Sequence, residues 1–160
     1  AQTAVIDLSK MMRYVLYDSE KEMVSLMNDI RLPKNYIDPM RTRYSDHVEI
    51  TLDSPHELPE DVAIPPLLLI VFVENAFKHG ISYNKESYID IHIAVDKETL
   101  TCVVSNSRHS AQTTEHSGIG LNNITKRLDL LFGKSYTLTT DSTSNDKYIV
   151  ELVIPINKHF

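Results

Sequence analysis

Four polar side chains end an otherwise apolar segment of the sequence, IPPLLLIVFVENAFKHG. On a helix, Asn75, Lys78 and His79 lie three and four residues apart and therefore share one face. An exposed last helical turn with a Glu74–Lys78 ion pair would account for these residue types. A site for Mg²⁺ and phosphate would account for them as well. The Asn75 carbonyl oxygen is a hard ligand, Mg²⁺ takes one or two protein ligands beside phosphate oxygens, and Lys78 and His79 can donate hydrogen bonds to phosphate. The pattern leaves both interpretations open.

Two glycines mark a second candidate site, in the segment SGIGLNNITKRLDLL. Gly118 and Gly120 stand at the predicted start of a helix, where free backbone amides and the positive end of the helix dipole can bind a phosphate. The same glycines would also suit an ordinary flexible turn. The order of features favours a shared site: a polar helix end, a hairpin, a polar stretch at residues 107–117 that we expect to be a mobile loop, and then the glycine-opened helix.

Apolar residues at helical spacing predict two helices in the first part of the chain. Residues 5–16 show one apolar stripe, and the run from Leu26 to Tyr44 shows another. Ser25 is the expected N-cap of the second helix. Pro33 and Pro39 interrupt its pattern, so we expect a kink or a break there.

Alternating apolar residues predict the strands of the remaining chain. HVEITLDS reads as a short strand, YIDIHIAV and LTCVVSNS as an antiparallel hairpin around DKET, and YTLTTDS and KYIVELVIPI as a second hairpin around TSND. Pro65 and Pro66 are expected in the first turn of the apolar helix, and a last helix is expected over residues 118–131, ending near Gly133. These elements predict an α+β fold, a two-layer sandwich whose mixed, mostly antiparallel sheet is covered by helices on one face.

Composition and charge exclude several classes of function. The 160 residues carry a formal net charge of −6, which argues against a nucleic-acid partner, since such proteins present a basic surface. The single cysteine, Cys102, stands in the apolar run LTCVV and is expected in the core. No apolar run reaches the roughly 20 residues of a membrane span. The histidines outside the candidate site have no zinc-binding spacing and are expected at the surface. They are His47, His92, His109, His116 and His159.

Two of these segments resemble the signature boxes of a known family. PPLLLIVFVENAFKHGI resembles the N-box of sensor histidine kinases, and SGIGLNNITKRLDLLFG resembles their second glycine box, in the version found in the LytS-type family. LSKMMRYVLYDS and NYIDPMRTRYSDHVEI resemble the helix and linker that precede the ATP-binding domain. The resemblance implies a Bergerat ATP-binding fold, shared with gyrase and mismatch-repair ATPases. It also implies that residues 1–45 are the end of the dimerisation helix and a linker helix, and that residues 46–160 are the ATP-binding catalytic domain.

The resemblance also implies roles for individual residues. Asn75 is the implied Mg²⁺ ligand, Lys78 and His79 face the phosphates, and Gly118 and Gly120 form the lid hinge and the phosphate turn. Three further residues are assigned to the nucleotide site or its surroundings: Leu121, Asn122 and Arg127.

The adenine site departs from the family pattern. Most histidine kinases place an aspartate where this chain has Asn106, and a glycine where it has Arg108. An asparagine oxygen can still accept a hydrogen bond from the adenine amino group, though without the charge. The departure therefore puts adenine recognition in question but does not exclude it.

The implied activity is transfer of the ATP γ-phosphate to a histidine on an upstream helix. In this family the acceptor lies in a PHFxxN motif, and no histidine of this chain has that context, since Pro55-His56 is followed by Glu57-Leu58. The implied partners are the acceptor helix of the same kinase as a homodimer and a response regulator. The domain would be cytoplasmic, and the full-length protein would reach the membrane through upstream segments. Two alternatives stay open: a non-catalytic nucleotide-binding or dimerisation module of the same fold, and a protein-serine kinase of the anti-sigma type.

Overall fold

The computed structural model describes residues 23–156, apart from residues 45, 59–61, 83–84, 109–117 and 143–145. The helix predicted over residues 5–16 and most of the polar stretch at 107–117 therefore lie outside the described residues. Three helices are present in the described ranges: α1 (Leu26–Arg43), α2 (Leu69–Gly80) and α3 (Gly118–Phe132). None of the three meets the combined length and hydropathy that a bilayer crossing demands.

A five-stranded mixed sheet forms the second layer. Its strands are β2 (Val48–Asp53), β4 (Ser87–Val95), β5 (Thr99–Ser107), β6 (Thr137–Asp141) and β7 (Lys147–Pro155), arranged in the order β2-β4-β5-β7-β6. Only the β2–β4 pair is parallel; the other three pairs are antiparallel. The structure therefore confirms the predicted α+β class, both hairpins and the mostly antiparallel sheet.

The sheet is apolar on one face and polar on the other. Ile89, Ile91 and Ile93 alternate along β4 and are at most 4% exposed, whereas His92 between them is exposed. Helical residues such as Phe72 and Leu128 belong to the same buried cluster as these strand residues. Each strand thus directs every second side chain toward the helices, as period-two alternation requires.

Cys102 lies in this core, as predicted from its apolar surroundings. Its side chain is 2% exposed. Burial raises the pKa of the thiol to about 12, and the negative charge of Asp29 adds to the shift. The thiol therefore stays protonated at neutral pH and acts as a small apolar core group.

The sequence predicted a kink or a break at the two prolines, and the break is wrong, because helix α1 runs through both of them. Pro33 and Pro39 both lie inside the 18-residue helix. Each proline removes one backbone donor, while the helix buries Leu26, Ile30 and Ile37, each at most 1% exposed, in the common core. Tertiary burial therefore outweighs the two lost hydrogen bonds. Ser25 holds the N-cap position, but its hydroxyl makes no capping hydrogen bond.

Helix α2 begins later than predicted, because Pro65 and Pro66 precede it. The chain turns at Leu67, whose φ of 61° lies in the left-handed region and cannot continue a right-handed helix. The helix then starts at Leu69. A small sheet that the sequence did not predict leads into this turn, formed by β1 (Val24–Ser25) and β3 (Ala63–Ile64).

Candidate functional site

The last two turns of α2 separate an apolar face from a polar one. Val73, Ala76 and Phe77 are buried in the core. Asn75 and His79 are half-buried, and Lys78 is exposed. No hydrogen bond joins the Asn75 side chain to another residue within the described ranges. The helical spacing of the polar residues is therefore as predicted, and the Asn75 amide is available for a ligand.

The imidazole of His79 lies in an unusual environment. Its Nε2 atom is buried and has no hydrogen-bond partner among the described residues. Burial lowers the pKa of His79, and the positive charge of the neighbouring Lys78 lowers it further. The ring is therefore neutral at neutral pH. A bound ligand could supply the hydrogen-bond partner that the buried nitrogen lacks.

Glu74 does not pair with Lys78, so the predicted ion pair is wrong. The ion pairs found among the described residues do not include one between Glu74 and Lys78. Partial burial raises the pKa of the Glu74 carboxyl, and its negative charge contributes to a raised pKa of Tyr36 on α1. Glu74 therefore lies within electrostatic reach of α1, and Lys78 is left to solvent or to a ligand.

Gly80 allows the end of α2 to approach β5 closely. A Cβ atom placed on Gly80 would lie 2.8 Å from the Cβ and 3.1 Å from the Nδ2 of Asn106. The Ser107 hydroxyl donates a hydrogen bond to the Gly80 carbonyl at 2.7 Å, and the Asn106 amide donates to the Ser107 carbonyl at 2.9 Å. Asn106 is 2% exposed. The structure thus brings Asn106 against the same helix end that carries Asn75 and His79, although 26 residues separate Gly80 from Asn106 in the chain.

Helix α3 begins at Gly118, as predicted, and contacts α2. Leu121 packs against the core, and Asn122 is exposed. The Arg127 guanidinium donates a hydrogen bond to the backbone carbonyl of Pro66, which precedes α2. This contact lies before the start of α2, whereas Asn75 lies six residues into the helix, about 9 Å along its axis from Leu69. The structure therefore places the Arg127 guanidinium at the N-terminal side of α2 and not at the end that carries Lys78 and His79.

The histidines described outside the candidate site lie at the surface, as expected. His47 and His56 are exposed. His92 lies on the open face of the sheet, with its Nδ1 3.1 Å from Asp53 and its Nε2 3.6 Å from Asp90. No group of three or more metal-binding side chains occurs in the described part of the chain. His109, His116 and His159 lie outside the described residues.

Comparison with known proteins finds histidine kinases among the relatives by sequence and among the solved structures of similar fold. The family model "Histidine kinase" matches residues 1–48. The sensor histidine kinase/phosphatase LytS of Staphylococcus aureus is 29% identical over 161 residues, which cover 91% of this chain and 27% of LytS. The chain thus spans about a quarter of the length of this relative.

Two solved structures share the fold at low identity. The catalytic domain of histidine kinase ThkA superposes with a TM-score of 0.59 at 16% identity, covering 83% of this chain and 93% of that domain. The Acinetobacter baumannii histidine kinase AdeS gives a TM-score of 0.57 at 14% identity, covering 96% of this chain and 77% of AdeS. The chain is therefore similar in sequence to the sensor histidine kinase LytS, and its described part has the fold of histidine kinase catalytic domains.

Proposed function

We propose that this domain binds Mg-ATP at the C-terminal end of α2 and transfers the γ-phosphate to a histidine on an upstream helix. The observation that carries the proposal is the close contact between Gly80 and Asn106. It joins the residue predicted to recognise adenine to the helix end predicted to hold the phosphates. A nucleotide could therefore contact both groups at once.

In this proposal the adenine end is recognised by Asn106 and the phosphate end by α2 and α3. The Asn106 side-chain oxygen accepts a hydrogen bond from the adenine amino group. Lys78 supplies a positive charge to the phosphates, and the free amides at Gly118 and Gly120 supply donors at a helix start. Burial of the Asn106 amide strengthens such a hydrogen bond, because water does not compete for it.

The residues present fit a magnesium ion that is held mainly by the nucleotide. Asn75 offers one oxygen ligand that no other described residue uses, and Mg²⁺ needs only one or two protein ligands beside phosphates. When bound, the ion neutralises charge on the transferring phosphoryl group. Phosphoryl transfer otherwise asks the protein for positioning and charge neutralisation. His79 completes this set, because its unpartnered Nε2 can form a hydrogen bond with a bound ligand.

We further propose that the kinase acts as a homodimer, with the acceptor helix as the partner of this domain and a response regulator downstream. In this proposal the domain faces the cytoplasm and upstream segments attach the protein to the membrane. The packing of Leu26, Ile30 and Ile37 in the common core supports a catalytic domain that begins before α1. We therefore propose a boundary near Val24 in place of the division between residues 45 and 46.

Titration calorimetry with Mg-ADP tests nucleotide binding directly. We expect saturable heat and a rise in melting temperature, since a ligand at 100 times its Kd stabilises the native state by about 2.7 kcal/mol. Asn35→Ala, a half-buried asparagine on α1, is a matched control for variants of Asn75. Absence of both heat and thermal shift at millimolar nucleotide would favour a non-catalytic module of the same fold.

A further inference from the structure

One peptide group, between Pro66 and Leu67, is held from both sides by charged side chains of two different helices. The Arg127 guanidinium of α3 donates a hydrogen bond to the carbonyl of Pro66. The Asp29 carboxylate of α1 accepts a hydrogen bond from the amide of Leu67, with 2.8 Å between Oδ1 and N. The C=O and the N–H belong to the same peptide group. A hydrogen bond at either end polarises the group and so strengthens the hydrogen bond at the other end.

Asp29 also caps α2 from a distance in the sequence. Its Oδ2 atom accepts a hydrogen bond from the amide of Leu69 at 3.3 Å, and its side chain is fully buried, with 0% exposure. The N-cap residue of α2, Leu68, supplies no side-chain hydrogen bond to the helix. A carboxylate at a helix N-terminus accepts otherwise unused amides and is favoured by the helix dipole. Asp29 therefore acts as the N-terminal cap of α2, a role that a residue next to the helix has in most proteins.

The turn that these contacts hold is a strained one. Leu67 has a φ of 61°, a conformation that costs a non-glycine residue of the order of 1–3 kcal/mol and persists only where the surroundings impose it. The turn leads directly into α2, and α2 is a rigid rod whose second half carries Asn75 and whose last turn carries Lys78 and His79. A change in how the turn is held therefore changes the direction of the helix and the position of its far end.

We propose that Asp29 and Arg127 are positioning residues that act through the Pro66–Leu67 peptide to place the nucleotide-binding end of α2. This inference rests on the proposed function, because it assumes that nucleotide binds at that end. Asp29 lies on α1 and Arg127 lies on α3, whose start at Gly118 is the proposed phosphate site. In this proposal the peptide couples α1 to α3, the helix whose start contacts the nucleotide.

A double-mutant cycle tests the coupling in the complete 160-residue chain. Mg-ADP affinity and melting temperature are measured for Asp29→Asn, Arg127→Gln and the double variant. Arg127→Lys keeps the positive charge and the ability to donate a hydrogen bond. Asp96→Asn is a matched control, because Asp96 also accepts hydrogen bonds from two backbone amides, those of Glu98 and Thr99, each at 2.8 Å. Arg41→Gln is the second control, because Arg41 also donates to a backbone carbonyl, that of Ile50.

We expect each single variant to raise the Kd for Mg-ADP roughly fivefold or more, within the usual range of coupling between sites. The Kd of the double variant should be no higher than that of the single variant with the higher Kd, because both hydrogen bonds act on one peptide group. Arg127→Lys should lose less affinity than Arg127→Gln, and both controls should bind as the wild type does.

Two results would overturn the inference. In one, the variants melt at lower temperature but bind Mg-ADP with unchanged Kd. The two side chains would then stabilise the fold without positioning the nucleotide site. In the other, the two losses of affinity add, which shows that the side chains act independently. Failure of the wild type to bind Mg-ADP is a separate result, since it contradicts the proposed function and not the coupling.

Discussion

Replacing Gly80 with alanine perturbs the contact on which the candidate site depends. The new methyl group would lie 2.8 Å from the Cβ, 3.1 Å from the Nδ2 and 3.2 Å from the Cγ of Asn106. Asn106 cannot move aside easily, because its amide is bonded to the Ser107 carbonyl and its backbone is paired with Ile89 and Tyr148 on the neighbouring strands. Either the end of α2 or the Asn106 side chain must shift.

The expected change in stability is the balance of two terms. Overpacking of a dense site costs about 1–3 kcal/mol, whereas replacing a helical glycine with alanine contributes about 0.5–1 kcal/mol in favour of folding. We therefore expect Gly80→Ala to lower the free energy of unfolding by about 1 kcal/mol, which corresponds to roughly 2–4 °C in melting temperature for a chain of this size. Thermal unfolding followed by circular dichroism measures this change.

The expected change in binding is larger than the change in stability. A shift of Asn106 by a few tenths of an ångström weakens its hydrogen bond to adenine, and a loss of 1.4 kcal/mol raises Kd about tenfold. Gly133→Ala is the control, because Gly133 has a φ of 58° and nothing within 4 Å of an added Cβ. That variant should lose stability through backbone strain and bind Mg-ADP normally. If Gly80→Ala binds Mg-ADP as tightly as Gly133→Ala does, the proposed role of the Gly80–Asn106 contact is refuted.

Three further predictions follow from the same site. Asn75→Ala should weaken Mg-ADP binding more than ADP binding in EDTA, because only the metal contact is lost; equal losses would make Asn75 structural. The isolated chain should acquire no acid-labile phosphate from labelled Mg-ATP, yet should phosphorylate an added fragment carrying the upstream PHFxxN helix; stoichiometric label on the chain itself would contradict this. The pKa of His79 is lowered in the native state, so the native state binds fewer protons than the unfolded chain. Stability due to His79 is then present above its ordinary pKa of 6.5 and is lost as the pH falls through the lower native value. Urea unfolding between pH 5 and pH 8 should show this loss in the wild type and less of it in His79→Gln.

Local patterns were sufficient for most of the secondary structure. Alternating apolar residues predicted β4, β5, β6 and β7 and their pairing into hairpins, because period-two burial is a property of each strand and the connections are short. Helical spacing placed Asn75, Lys78 and His79 on one face of α2 for the same reason. The quoted N-box and second glycine box also carried the family resemblance, since those residues are adjacent in the chain.

Some features had no local signal. Strands β1 and β3 have two residues each, too few to show a period. The unbroken course of α1 through Pro33 and Pro39 depends on apolar side chains that are buried against other elements, and propensity alone favours a break. The late start of α2 depends on the strained turn at Leu67 and on Asp29, which lies 38 residues earlier in the chain.

The contacts that assemble the candidate site were decided by the tertiary structure. The sequence by itself determined the residue types at the ends of α2, β5 and α3, and therefore which kinds of ligand they can bind. It did not determine that Gly80 lies against Asn106, or that Arg127 contacts Pro66 just before the start of the helix. The physical reason is that periodicity reports which side of one element is buried, whereas the contact between two elements is selected by the packing of the whole core.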